Sequence, residues 1–333
     1  GGDISIASLP ISQLAYRAST TRSVWIGDNA VLDAAARAYV ARDAQGRAYG
    51  IPPDGGTIEL GLSDSFIVIR PGAVLDASGA YAEVDASAGS ASGTPARPLA
   101  LAGAGGGIGL HSYVGMVIDG TLTARAGGAG AAGGSLTMEM ANRRYLAGAE
   151  NIPEDVQVMH NITLTQQYHP GGLADGLAPG QADAGLKYGA ATLSADQVRA
   201  GGFDALTLSA HDLFLFDGDI DLALGRSLNL RNGFLTVADN TPDAKVRLAA
   251  PYIRFDGGTW DGASGYFSPG LIIGNRAIGS PARGDSALTL DASLIDIYGR
   301  VQSGIVAGYG DGAVVPNGPP VGHTVDAGGF AAL

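Results

Sequence analysis

The residues able to carry chemistry in this sequence are few, and none falls into a spacing that completes a reaction centre. Gly128-Ala129-Gly130-Ala131-Ala132-Gly133 spells the GxGxxG of dinucleotide-binding folds. That fingerprint works only when a helix follows, because the helix amino terminus meets the pyrophosphate. Here Gly134–Met140 alternates polar and apolar residues as a strand does, so a glycine-rich loop is expected and no cofactor is implied. Asp217, Asp219 and Asp221 open like a calcium loop, but Leu228 stands where such a loop needs its bidentate Glu. Outward carboxylates on a strand edge are expected instead. The histidines, His111, His160, His169, His211 and His323, form no HExxH or HxH pair, and no serine sits in GxSxG. No catalytic and no metal-ligating residue is assigned. Arg283-Gly284-Asp285 precedes the ALTL strand at Ala287–Leu290, where a corner could display it to a host receptor; a plain turn is the alternative.

The elements that would position these residues are bounded by composition. The 333 residues contain 53 glycines without the every-third spacing of collagen, and 46% hydrophobic residues against 16% charged, which suits a folded chain. A net charge of −12, with only two lysines (Lys187 and Lys245) and scattered arginines, argues against nucleic acid as a partner and against a polybasic membrane patch. Cysteine is absent, which removes disulfides and thiolate metal sites. No apolar run reaches the roughly 20 residues of a membrane span. The opening Gly1-Gly2-Asp3 reads as a piece of a longer chain.

Self-similarity is the strongest signal. Gly55-Gly56 opens TIELGLSDSFIVIRPG and Gly201-Gly202 opens FDALTLSAHDLFLFDG with identical spacing. In both, alternating apolar residues (Ile58, Leu60, Leu62; Leu206, Leu208) lead through a polar corner to a second run (Ile67, Ile69; Leu213, Leu215). ALTLDASLIDIYG, from Ala287, is a third, shorter copy. VWIGDNAVLDA from Val24 aligns with IVIRPGAVLDA from Ile67, 43 residues on, which reads as two repeats of about 21–22 residues. Such short strands bury an apolar face only when stacked. The expectation is an all-β, right-handed, single-stranded parallel β-helix over 1–310, of about 14 or 15 coils at about 4.8 Å. Ile69 and Leu208 should point inward, and Arg70 and Ser209 outward. A β-sandwich or propeller is the alternative, but hairpin signals are scarce. Ala30–Ala44 has helix propensity, yet its alignment with Ala73–Ala86 favours a strand and a loop. Residues 141–190 are expected as loops protruding around a strand at Asn161–Gln166, and 311–333 as an extended exit segment.

The recurring GG-apolar strands, the AVLDASG corner (Ala73–Gly79) and the Ala/Gly loops resemble internal segments of filamentous-haemagglutinin-like exoproteins, the secreted partners of two-partner secretion systems. The resemblance implies a monomeric rod, exported through an outer-membrane transporter to the exterior of a Gram-negative cell. There it would bind host cells, glycans or other bacteria, or carry a distal effector. A structural rod or adhesin rather than an enzyme is therefore expected. The alternative is a β-helical polysaccharide lyase or glycoside hydrolase, whose paired carboxylates would be neighbours in space yet distant in sequence.

Overall fold

Strands here end after a few residues because Gly, Asn and Asp corners interrupt the two-residue alternation, so each strand gains its partners from elsewhere in the chain. A computed structural model describes residues 1–7, 23–63, 65–86, 97–140, 160–210, 213–238, 240–257, 260–261, 266–267, 286–298, 306–307 and 323–324. The described residues are all-β with one short helix. The chain first lays down β1 (Asp3–Ile6), β2 (Ser23–Ile26), β3 (Val31–Asp33) and the hairpin β4 (Tyr39–Arg42) and β5 (Ala48–Ile51). Next come β6 (Thr57–Ser63), β7 (Phe66–Ile69), β8 (Val74–Asp76) and a second hairpin, β9 (Tyr81–Ala86) and β10 (Arg97–Ala102). The strands β11 (Gly107–Ser112), β12 (Met116–Ile118) and β13 (Thr121–Thr123) follow, then β14 (Gly134–Met140), β15 (Asn161–Thr165), β16 (Ala190–Ser194) and helix α1 (Ala195–Gly201). After these run β17 (Phe203–Ala210), β18 (Leu213–Asp217), β19 (Ile220–Ala223), β20 (Ser227–Asn232), β21 (Phe234–Val237) and β22 (Lys245–Ala249). The last are β23 (Tyr252–Gly257), an antiparallel pair β24 (Trp260–Asp261) and β25 (Tyr266–Phe267), β26 (Ala287–Asp291), β27 (Leu294–Tyr298) and a second short antiparallel pair, β28 (Val306–Ala307) and β29 (His323–Thr324).

These strands fall on three faces. The first is an eight-stranded parallel sheet, β1-β6-β11-β14-β17-β20-β23-β27. The second holds β2-β7-β12 and β16-β15-β18-β21, with β12 lying against β16. The third holds β3-β8-β13 and β19-β22-β26, and α1 touches both β13 and β19 between them. All three faces contribute to one core. On the long sheet, register puts Ile4, Ile58, Ile108, Leu136, Leu206, Leu228, Ile253 and Ile295 in a single inward row. Burial of each such side chain is worth about 1.5–3 kcal/mol, and no single strand could collect it alone.

The glycine pairs have a close-packing reason. A Cβ on Gly56 would lie 1.8 Å from the Gly2 carbonyl oxygen, one on Gly106 1.9 Å from that of Gly56, and one on Gly134 2.3 Å from that of Gly106. Successive corners therefore touch backbone to backbone, and Gly107 N–H donates to Gly56 O at 3.0 Å.

The AVLDA alignment is structural: Val31 pairs with Val74 and Leu32 with Leu75, in parallel. Asn29 and Gly72, the matching corner residues, both have positive φ. Ala30–Ala44 is strand and loop, as expected, and Asn161–Thr165 is a strand. Several expectations are corrected. Val24 and Ile67 are direct neighbours, so the 43-residue interval is one circuit carrying the β4–β5 hairpin, not two circuits. Among the described residues eight strands stack on the long sheet, where 14 or 15 coils were expected. The ALTL of Ala287 lies on the third face in β26, whereas that of Ala205 lies on the first in β17. In β18 it is Phe214 and Phe216, not Leu213 and Leu215, that join the main core. Leu62 lies outside the described side chains. Ser209 is buried and accepts a hydrogen bond from Asn232 Nδ2 at 3.2 Å.

Helix α1 escaped the sequence reading. Ser194 caps it by accepting from Gln197 N–H at 3.0 Å, the Gln197 side chain returns the contact, and Gly202 ends it at φ 72°. It stands where a third-face strand would, with Ala195 and Val198 in the core and Gly201 O accepting from Ala124 N–H at 2.9 Å. Two substitutions test the packing by urea unfolding. Leu208→Ala should cost about 2–5 kcal/mol through the cavity it leaves. Gly106→Ala should cost about 3 kcal/mol, because its Cβ meets backbone rather than a movable side chain.

Candidate functional site

Alternation that turns one set of residues into the core turns the other set onto the outer surface of the long sheet. There the register aligns Glu59 with Gly109 and Thr137, and His111 with Glu139 and Ser209. His111 Nε2 lies 3.0 Å from Glu59 Oε2, and Nδ1 lies 3.1 Å from Glu139 Oε2. One imidazole thus joins three consecutive strands, β6, β11 and β14. Gly109 makes the reach possible: a Cβ there would sit 1.9 Å from Glu59 Oε2, because the carboxylate lies across the glycine on its way to the ring.

The electrostatics follow from those contacts. The hydrogen bond to Glu139 is the largest influence raising the His111 pKa above its ordinary value, with Glu59 adding to it and partial burial opposing. The same contact holds the Glu139 carboxyl below its ordinary range, helped by the Arg231 charge. Chemically the cluster is a charge-assisted clamp. The ring occupies the space between the two carboxylates, which is where a glycosidic bond would have to lie for a pair of carboxylates to cleave it.

Farther along this surface, Tyr252 donates to Asp296 Oδ2 at 3.0 Å, Arg254 pairs with Asp256 at 3.2 Å, and the Arg254 guanidinium stands 4.5 Å from the Tyr298 ring centroid. The first and last of these contacts join β23 to β27, whereas Arg254 and Asp256 lie on the same strand. Neighbouring strands are also joined on the third face, where Arg247 bridges Asp221 at 2.9 Å and Asp291.

Arg283, Gly284 and Asp285, the candidate receptor contact, lie outside the described residues, as does His211. The GxGxxG segment is a loop followed by strand β14. Asp217 accepts from Asn240 Nδ2 at 3.1 Å, Asp219 from Lys245 N–H at 2.7 Å, and Asp221 pairs with Arg247. A turn residue, Asn240, and strand β22 thus engage the three carboxylates. Among the described residues no group of three or more His, Asp and Glu could hold a metal ion. His160 is buried, with Nε2 2.9 Å from Tyr113 O and its ring edge-on to Tyr188. The glutamate–histidine cluster was missed because its members are 52 and 28 residues apart. A signal existed: His111 and Glu139 stand at the same place after their Gly-Gly pairs, as Glu59 and Gly109 do.

The second face carries another polar feature under a cover. Of the loops expected to protrude over 141–190, residues 141–159 lie outside the described residues, and 166–189 rest on this face through a few side chains while most of 167–184 is exposed. Leu173, Leu186 and Tyr188 pack against Phe66, Val68 and Val117, and Asp119 accepts from Tyr168 OH at 2.8 Å and Gly171 N–H at 2.7 Å. Burial and the Asp119 carboxylate push the Tyr168 phenol up, so it remains a donor. Arg70, expected on the surface, is buried here. It pairs with Asp28 at 3.2 Å, donates to Ala174 O at 3.3 Å, and lies 5.7 Å from the Trp25 ring centroid.

Comparison with protein-family models, with curated proteins and with solved structures finds no match. Among the described residues no helix is long and apolar enough to cross a membrane. Arg70→Ala should therefore cost about 1–3 kcal/mol in urea unfolding, a loss that an unburied arginine would not give. It should also raise protease sensitivity in the 166–189 segment, measured by limited digestion and mass spectrometry.

Proposed function

We propose that this chain is a length of right-handed parallel β-helix serving as a structural rod or adhesive segment of a large secreted bacterial surface exoprotein. The observation that carries the reading is the inward row that runs through all eight strands of the long sheet, whose register shifts only at the strand ends, at His111/Ser112 and Gly134/Ser135. Eight parallel strands hold one inward apolar row while the outward polar groups pair from strand to strand. A chain that circles back repeatedly to the same faces gains stability mainly from adjacent circuits, which suits a part whose length and repetitive surface are its use. The right hand follows from the chirality preference of parallel crossovers. The resemblance to filamentous-haemagglutinin-like exoproteins supplies the setting: passage through an outer-membrane transporter, residence on the cell exterior, and contact with host surfaces, glycans or neighbouring bacteria.

Circuit excision tests this. Leu206 and Leu228 are paired in register, so removal of 206–227 joins Ala205 to Leu228 and omits one circuit. The shortened protein should unfold cooperatively with unchanged strand content by circular dichroism. Its attachment to fixed epithelial cells and to biofilm polysaccharide, measured with fluorescent protein, should fall only gradually. A reducing-sugar assay over neutral and acidic polysaccharides should show no turnover. Complete loss of attachment from one surface substitution in a folded variant, or measurable turnover, would overturn the rod reading.

A further inference from the structure

We infer that His111 is a pH-dependent clamp whose imidazolium ties β6, β11 and β14 together through Glu59 and Glu139 and lets go when it loses its proton to solvent. The geometry requires the charged ring. Both ring nitrogens face carboxylate oxygens, at 3.0 and 3.1 Å, and a neutral imidazole has only one N–H. Once the ring is neutral, its remaining lone pair must face one of the two carboxylates, and that contact turns from attraction to repulsion.

The surroundings leave the clamp in control of its own charge. Glu59 faces the ring from β6 and Glu139 from β14. In the row of Glu139, β17 presents Ser209 and β20 presents Arg231, whose charge acts on Glu139. In the row of Glu59, β1 presents Ser5. Two carboxylates against one nearby arginine favour the imidazolium. The side chain of His111 is 24% exposed, so the proton can exchange with water without unfolding.

The direction of the pH effect is fixed by linkage. His111 has a raised folded pKa, so its contribution is complete below its ordinary value of 6.5 and is lost as pH rises through the folded value. Glu139 has a lowered folded pKa, so its contribution is present above its ordinary value of 4.5 and is lost as pH falls through the folded value. The clamp therefore closes in mildly acidic medium and opens in alkaline medium. This holds whether or not the chain is an adhesin.

The test is a ring-proton NMR titration of all histidines, with His111 assigned by H111Q, together with urea unfolding of both proteins at pH 6 and pH 9. Wild-type His111 should titrate above the value of histidine in an unfolded peptide, and E59Q and E139Q should each bring it down. G109A supplies a third route, because its new Cβ displaces the Glu59 carboxylate. Each tenfold gain in proton affinity on folding appears as a tenfold change in the unfolding equilibrium constant. Wild type should lose stability by about threefold or more in that constant between pH 6 and pH 9, relative to H111Q. If H111Q does not fold, the titrations of E59Q, E139Q and G109A assign the resonance and decide the question. A His111 midpoint at or below the unfolded value, or one that none of these three substitutions moves, overturns the clamp. So does a pH dependence that H111Q shares with wild type.

Discussion

Everything in this molecule depends on how closely one circuit of backbone can approach the next. Parallel strands in register sit about 4.8 Å apart, and corners must match that spacing or the strands would splay. The glycine column meets the constraint: at Gly56, Gly106 and Gly134 there is no room for a Cβ against the backbone carbonyl of the neighbouring corner. With the corners in contact, the isoleucine and leucine rows close without gaps, and the long sheet stays continuous from β1 to β27. The glycines of these corners are thus a packing requirement.

The same spacing governs the polar surface. Side chains of successive strands are near enough to bond directly, so many outward groups find a partner one strand away. His111 between Glu59 and Glu139, Arg247 between Asp221 and Asp291, and Asn229 donating to Thr207 at 3.3 Å are one arrangement repeated with different chemistry. Where a strand is replaced by α1, the main chain keeps the bargain: Arg125 donates to Ala200 O at 2.6 Å and Arg199 to Asp221 O at 3.4 Å. A lateral excursion costs the stack little. Both hairpins, β4–β5 and β9–β10, leave after the third face and return to the first, and Ala48 N–H donates to Asp85 Oδ2 at 2.6 Å between them.

The sequence carried the parity of Ile58, Leu60, Leu206 and Leu208, because polar residues alternate with them, and the AVLDA equivalence, because corner chemistry repeats with the strands. It could not fix the face of LFLF at 213–216, where both parities are apolar. Nor could it separate a circuit with a hairpin from two plain circuits, since the hairpins share the Ala, Gly and Tyr texture of the rest. Arg70 looked solvated because the carbonyl that receives it lies 104 residues away. Helix α1 was legible in the Ser194-x-x-Gln197 cap and Gly201-Gly202, and was lost to the expectation of another strand. The glutamate–histidine cluster depends on register, and register emerges only when the Gly-Gly corners are superposed.

In-register stacking can be measured as a distance. The chain has no cysteine, so Asp3→Cys and Leu294→Cys give two unique spin-label sites. Both are exposed and in one row of the long sheet, at its two ends. Across an eight-stranded sheet that row spans seven steps, or about 34 Å between backbones. Pulsed electron–electron resonance should give one narrow distribution near that length, widened only by the label arms. A distribution centred below about 20 Å, or one spread over tens of ångströms, would mean that the strands do not stack in this order.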